Sequence, residues 1–195
     1  MSAQTTEMEA IADLVPAGAR VLDLGCGDGA LLAHLQQAKG CTGYGVEIDD
    51  GNVLACSQRG INVLQLNLEE GLALFDDQSF DVVLQLQTLQ HLRNTEKMLR
   101  ETARVGRIGI VSFPNFAHWP NRLSVLQGRM PVTKTLPYQW YDTPNIRVGT
   151  FADFEVLARR NGLTVQDSFG YHAGRVVRRA PNLMASVAVF KIARG

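Results

Sequence analysis

With 195 residues, 46% of them hydrophobic and 19% charged, the chain suits one ordinary domain with its own core and reads as neither disordered nor coiled coil. Nineteen bases cancel nineteen acids, which argues against a uniformly basic nucleic-acid binder. The zero hides a polarity: residues 1–112 hold 15 acids and 8 bases, residues 113–195 hold 4 acids and 11 bases, so the two halves are expected to do different things. The first residues, Met1 to Glu7, lack the apolar core of a secretory signal, and no stretch approaches the roughly 18 apolar residues of a membrane span. Cys26, Cys41 and Cys56 form no C-x-x-C pair, so neither a disulfide framework nor a metal site is expected, and the thiols read as reduced, in a cytoplasmic protein.

Residues 19–24 form a short apolar run ending in glycines, which predicts a buried strand. A helical pattern follows, with Leu31, Leu32 and Leu35 on one face and Gly40 beyond its end. Strands are then predicted over 41–48, 61–66, 80–86 and 107–113, with helices over 52–58 and 94–105 between them. This alternation implies right-handed βαβ crossovers on a parallel sheet. After Phe113 the rhythm breaks. Residues 113–149 hold five of the seven prolines, both tryptophans and six of the fourteen aromatics, with four bases against one acid. So long a connection is usually functional or disordered, and this one is too aromatic for disorder. A short helix over 122–127 fits inside it. Thr150 then caps a helix carrying Phe151, Phe154 and Leu157, and two closing strands are predicted over 163–169 and 184–192, separated by a basic loop with Arg175, Arg178 and Arg179. The expected fold is α/β: one doubly wound domain over 1–195, a mostly parallel sheet of seven strands, and an insert at 113–149 after the fifth.

Gly25, Gly27 and Gly29 sit where the first strand opens into a helix, the context in which a glycine loop lets backbone approach a ligand. The spacing is G-x-G-x-G, not that of dinucleotide folds, and Asp28 within the loop would repel a pyrophosphate, so the predicted ligand is a nucleoside without phosphates. Asp23 on the entry strand suits a ligand ammonium. Glu47, at the end of the second strand, suits ribose hydroxyls. Asn67, after the third strand, is placed to accept from an adenine amino group.

These motifs resemble those of the class I S-adenosylmethionine (SAM) methyltransferases, from Leu14 to Ser112. The resemblance implies that Asp23, Gly25, Gly27 and Gly29 hold the methionine part, Glu47 the ribose, and Asn67 with Leu68 the adenine, of SAM or of its demethylated product, S-adenosylhomocysteine (SAH). The adenine position is often Asp in that family and is Asn here. Methyl transfer to a weak nucleophile needs a base near the fourth strand. The candidates there are Gln85, Gln87, Thr88, Gln90 and His91, of which only His91 titrates near neutral pH. A lone histidine after a strand is more often a packed or capping residue, and no catalytic residue is assigned. His34 is expected on a solvated helix face, and His118 and His172 in loops.

Two longer strings are more distinctive: residues 112–119, Ser-Phe-Pro-Asn-Phe-Ala-His-Trp, and residues 128–133, Gly-Arg-Met-Pro-Val-Thr, continuing through 136–146. With the glycine loop and residues 45–49, they resemble the MetW family of methionine biosynthesis proteins, to about Gly162, the tail beyond carrying little family signal. That resemblance implies a partner, a homoserine O-acyltransferase of MetX type, whose full activity such proteins support. Trp119, Arg129, Met130, Tyr138, Trp140 and Tyr141 are the expected contact residues, of the types that favour interface cores. SAM in the cleft would then act as a feedback signal. A lid over the protein's own cleft is the other role for the insert, and the two are compatible. The rival function is a SAM-dependent methyltransferase acting on a small molecule. RNA binding through the basic half ranks last, since no RNA-binding module is visible.

Overall fold

A computed structural model describes residues 6–195. At its centre lies β1 (Arg20–Leu24), whose Val21, Leu22 and Leu24 are fully buried. Parallel neighbours flank it: β2 (Thr42–Glu47) and then β3 (Val63–Gln65) on one side, β4 (Phe80–Leu86) and then β5 (Gly106–Pro114) on the other. The near-continuous apolar runs of β1 and β4 follow from this, because a central parallel strand is covered on both faces. Beyond β5 the sheet continues with β8 (Val187–Arg194), β6 (Leu163–His172) and β7 (Arg175–Val177), giving the order β3-β2-β1-β4-β5-β8-β6-β7. β8 runs antiparallel to both β5 and β6.

Helices cover the two faces. On one, α1 (Glu7–Ala12) and α2 (Ala30–Lys39) supply Ile11, Leu32 and Leu35, and α3 (Asp50–Gln58) supplies Cys56, over Val21, Val82, Leu84 and Ile110. On the other, α4 (Thr95–Val105) and α6 (Phe151–Arg160) supply Leu99, Ala103, Phe151, Phe154 and Ala158 over Val111, Phe113 and Phe190. The Phe190 ring centre lies 4.4 Å from those of both Phe151 and Phe154. A buried phenylalanine of this kind stabilises by about 1.5–3 kcal/mol through the apolar area it withdraws from water.

Among the described residues, eight strands replace the seven expected. The extra one, β7, occupies the start of the predicted basic loop. Ala173 and Gly174, at φ 47° and 79°, form a two-residue turn whose positive φ values match the twist of a hairpin, and β6 extends to His172 to meet it. The arginines read as a loop because of their charge, yet Arg178 is held by Asp167 at 2.9 Å on β6 itself. The strand predicted over 184–192 begins only at Val187, because Pro181–Met184 is a one-turn helix, α7, started by its proline. α1 was not foreseen, although Thr6 and Glu9 cap it reciprocally, as the spacing of such a capping box allows.

The insert also starts its helix early. α5 (Trp119–Leu126) carries Pro120 in its first turn, so the helix begins before the predicted residue 122. From Gln127 the chain is irregular to Gly149, where a single bridge to Asn115 closes the segment at its base. Among the described residues, no helix is long and apolar enough to cross a membrane.

Candidate functional site

The carboxyl ends of β1, β2 and β4 meet at the glycine loop. Gly25 and Cys26 donate their N–H groups to the Val46 carbonyl at 2.8 and 3.1 Å, laying the loop across the end of β2. Gly27 donates to Glu47 Oε2 at 2.9 Å, and Ile48 and Asp49 donate to Oε1 at 2.8 and 3.0 Å. Glu47 thus organises the loop as well as ending the strand. A Cβ on Gly25 would lie 2.6 Å from Thr88 Oγ1, whereas one on Gly27 would meet nothing within 4 Å. The first glycine is required by packing, and both by their φ values of 78° and 55°.

Beside the loop opens a cavity of about 470 Å³, lined by Gly25, Glu47, Asn67, Leu68, Thr88 and His91 among others. Of the predicted ligand residues, Gly25, Glu47, Asn67 and Leu68 therefore meet around one space. Asp23 does not line it. It lies beneath the loop at 3% exposure, with Oδ1 lacking a hydrogen-bond partner among the described residues. Burial, and next the charge of Glu47, push its carboxyl up to about 7. Gly27 and Gly29 also stand outside the lining, and Gly29 packs on Cys56 and Ile61. The amide oxygen of Asn67 already accepts the Glu69 N–H at 3.0 Å, capping a 3-10 turn over Leu68–Glu70, which leaves it one lone pair for a ligand.

Cys26 fills space within the loop, with its sulfur 3.8 Å from that of Cys56. Cys56 lies within reach of the Gly27 carbonyl, and burial raises both thiols above their ordinary range, which keeps them unreactive as thiolates. Asp28 is paired with Arg59 at 2.6 Å.

The three carboxylate and imidazole side chains lining the cavity are all engaged. Glu47 takes three backbone N–H groups, and Glu69 Oε1 takes the Arg93 N–H at 2.6 Å. His91 is exposed, with Nδ1 3.1 Å from the Pro144 carbonyl, which can only accept, so the proton sits on Nδ1. The insert thereby reaches the cavity wall. Its Ile146 and Arg147 N–H groups both donate to the Gln90 carbonyl at 3.0 Å, and Arg147 Nη2 donates to the Arg93 carbonyl at 2.9 Å. Sequence reasoning missed this seam, since nothing local marks residues 144–147 as partners of residues 90–93.

It also missed Asn115. At 1% exposure, its Nδ2 donates to the carbonyls of Ala185 and Asn182 at 2.8 and 3.0 Å, while Oδ1 accepts from Ala117 and Phe151 at 3.2 and 3.3 Å. His118 occupies the N-cap position of α5 without a capping bond from its ring and is buried, that ring 4.6 Å from that of His172; burial, then the neighbouring His172 charge, hold its pKa below the ordinary value. The six insert residues named above all lie at the surface, Trp140 at 70% and Tyr141 at 71% exposure, with these two rings 5.6 Å apart.

A family model described as methionine biosynthesis protein MetW matches residues 5–192, well past the point where the sequence resemblance was expected to fade. The bifunctional methionine biosynthesis protein MetXA/MetW of Rhodopirellula baltica is 37% identical over 200 residues, covering 95% of this chain and 32% of that protein. The chain thus spans about a third of that relative's length. Among solved structures, a SAM-dependent methyltransferase from Thermotoga maritima aligns with a TM-score of 0.71 at 19% identity, over 97% of this chain and 87% of that one. Magnesium protoporphyrin IX methyltransferase from Synechocystis, determined with bound SAH, aligns at 0.64 and 21% identity, over 95% and 78%. At such identities the likeness is one of fold, and the fold is that of the SAM-dependent methyltransferases. With the family match running over nearly its whole length, the chain belongs to the MetW family of methionine biosynthesis proteins.

Proposed function

We propose that the protein serves methionine biosynthesis by binding and activating a homoserine O-acyltransferase of MetX type through its insert, while its cleft takes SAM or SAH as a feedback signal. The observation that carries this reading is the surface of the insert. One segment leaves Leu126 at 84%, Trp140 at 70%, Tyr141 at 71% and Met130 at 52% exposure, and soluble chains seldom leave such side chains bare without a use for them. The name of the Rhodopirellula relative joins MetXA to MetW in one polypeptide, which supports a partner of that kind.

The cleft residues fit a nucleoside. A cavity of about 470 Å³ lies in the range of small-molecule sites, Glu47 offers carboxylate lone pairs at its wall, and Asp23 keeps an unpartnered buried oxygen below the loop. SAM would bring positive charge to this acidic surround. That both carboxylates lining the cavity are already hydrogen-bonded to backbone N–H groups supports sensing over catalysis.

The test is homoserine acylation by the acyltransferase, with and without this protein and with and without SAM. A rise in rate and a complex on a sizing column are expected, and Trp140→Ala with Tyr141→Ala should weaken association about tenfold or more. An unchanged rate with no complex would sink the proposal.

A second reading, a methyltransferase acting on a small molecule, rests on one observation: His91 is an imidazole at the cavity wall. SAM would supply an electrophilic methyl group, and His91, its Nδ1–H held by the Pro144 carbonyl, would take a proton on Nε2. Conversion of SAM to SAH in a mixture of small cell metabolites, lost in His91→Asn, would favour it.

A further inference from the structure

A second cavity, of about 800 Å³, lies on the α4 and α6 side of the sheet, beneath the insert. It shares no lining residue with the nucleoside cleft, and the turn Leu89–His91 stands between the two. Its inner wall is apolar: Leu89, Phe113 and Phe154 are buried, and Phe116 and Leu157 half-buried.

The outer wall is basic. Arg93, Arg100, Arg147 and Arg160 line it, against Glu96 and Asp153. Arg100 is committed, donating to Asn161 Oδ1 at 2.5 Å and lying 3.5 Å from Glu96. Asp153 accepts from the Thr150 hydroxyl at 2.6 Å. Lys97 also lines the space, but its ammonium lies beside Gly71 and acts on Glu101. Among the described residues, Arg93, Arg147 and Arg160 have no carboxylate partner. Arg147 donates to the Ile146 and Arg93 carbonyls at 3.2 and 2.9 Å, which fixes its guanidinium at the cavity rim without neutralising its charge, so three positive charges unmatched by a carboxylate line one cavity.

We propose that this cavity binds a small organic phosphate, its phosphate held by Arg93, Arg147 and Arg160 and its apolar body resting on the phenylalanines. The guanidinium fork matches phosphate oxygens pairwise, and hydrogen bonds between charged groups are stronger than neutral ones. The apolar wall selects against inorganic phosphate, which would leave it wet, and the guanidiniums select against a neutral ligand, which would leave them unpaired. The volume lies in the range of small-molecule sites.

The experiment is calorimetry on the full chain with phenyl phosphate, inorganic phosphate and phenol. Phenyl phosphate should bind about tenfold or more tighter than either of the others. Arg160→Gln and Arg93→Gln should each weaken it about fivefold or more, whereas Arg175→Gln, on β7, should not. Arg160 is exposed and makes no bond that the fold needs, so its variant stays informative if Arg93→Gln unfolds. Saturating SAH should leave phenyl phosphate in place. No heat with phenyl phosphate, equal affinity for inorganic phosphate or phenol, an equal loss in Arg175→Gln, or displacement by SAH would each overturn the assignment. None of these results bears on acyltransferase activation, so failure here leaves that proposal standing.

Discussion

Asp23 and Glu47 show how two acids in neighbouring strands acquire different chemistry. Glu47 reaches the end of β2, where three backbone N–H groups point at it, while Asp23 lies one layer lower with one oxygen bare. A carboxyl raised from 3.8 to about 7 by burial binds its proton more tightly folded than unfolded. Its contribution to stability is therefore full at low pH and is lost as pH climbs towards 7. A ligand ammonium in the cleft above would favour the charged carboxylate through space and drive the proton off. SAH is accordingly expected to bind about tenfold tighter at pH 8 than at pH 6, with one proton released, and Asp23→Asn to flatten that profile. Calorimetry in buffers of differing ionisation enthalpy measures both. The residue types at 23 and 47 were legible in the sequence. Their hydrogen bonding was not, because it depends on how a strand end and a loop from different crossovers meet.

At the level of elements, strands β1 and β4 and helices α2, α4 and α6 were plain from periodicity, since a buried face imposes its spacing on the chain. Bounds slipped where capping chemistry decided them, as at Trp119 and Pro181. Asn115 illustrates what periodicity cannot report. Its amide joins the base of the insert to the start of α6 and to α7 and the α7–β8 connection, bonding five backbone groups from a position that looks like any loop asparagine. Asn115→Ala takes these bonds from the buried Ala117 N–H and Ala185 carbonyl, while Phe151 keeps Asn182 Oδ1, with an expected loss of about 2–3 kcal/mol in urea unfolding. The insert should loosen with it, seen as faster amide exchange across α5. An unfolding midpoint within error of the parent protein would show that water replaces these bonds.

Across the whole molecule, the insert and the cleft are joined by one seam. Pro144, Ile146 and Arg147 are bonded to His91, Gln90 and Arg93, on the turn that also supplies Thr88 and His91 to the cavity wall. Whatever settles the turn must settle the seam. SAH is therefore expected to slow hydrogen exchange at the Ile146 and Arg147 amides severalfold, while exchange in β7, at the far edge of the sheet, stays unchanged. Equal exchange with and without SAH would leave the cleft and the docking surface independent. The charge polarity belongs to this scale too: the acidic half contains the strands and loop around the cleft proposed to take a nucleoside, and the basic half supplies the insert and Arg147 and Arg160 of the second cavity.

By itself, the sequence determined the alternation of strands and helices, the glycine loop with its acids, the aromatic insert and the family to which it belongs. These rest on local spacing and residue type, which fold and chain order preserve. Only the tertiary structure decided that β8 slips between β5 and β6, that Asp23 is sealed beneath the loop, and that residues 144–147 close against residues 90–93. It alone brought arginines from α4, α6 and the insert around one apolar cavity. Those outcomes depend on contacts between residues up to about 80 positions apart, as in β5 with β8, where the register is set by packing of the finished core. No short-range pattern in the chain encodes them.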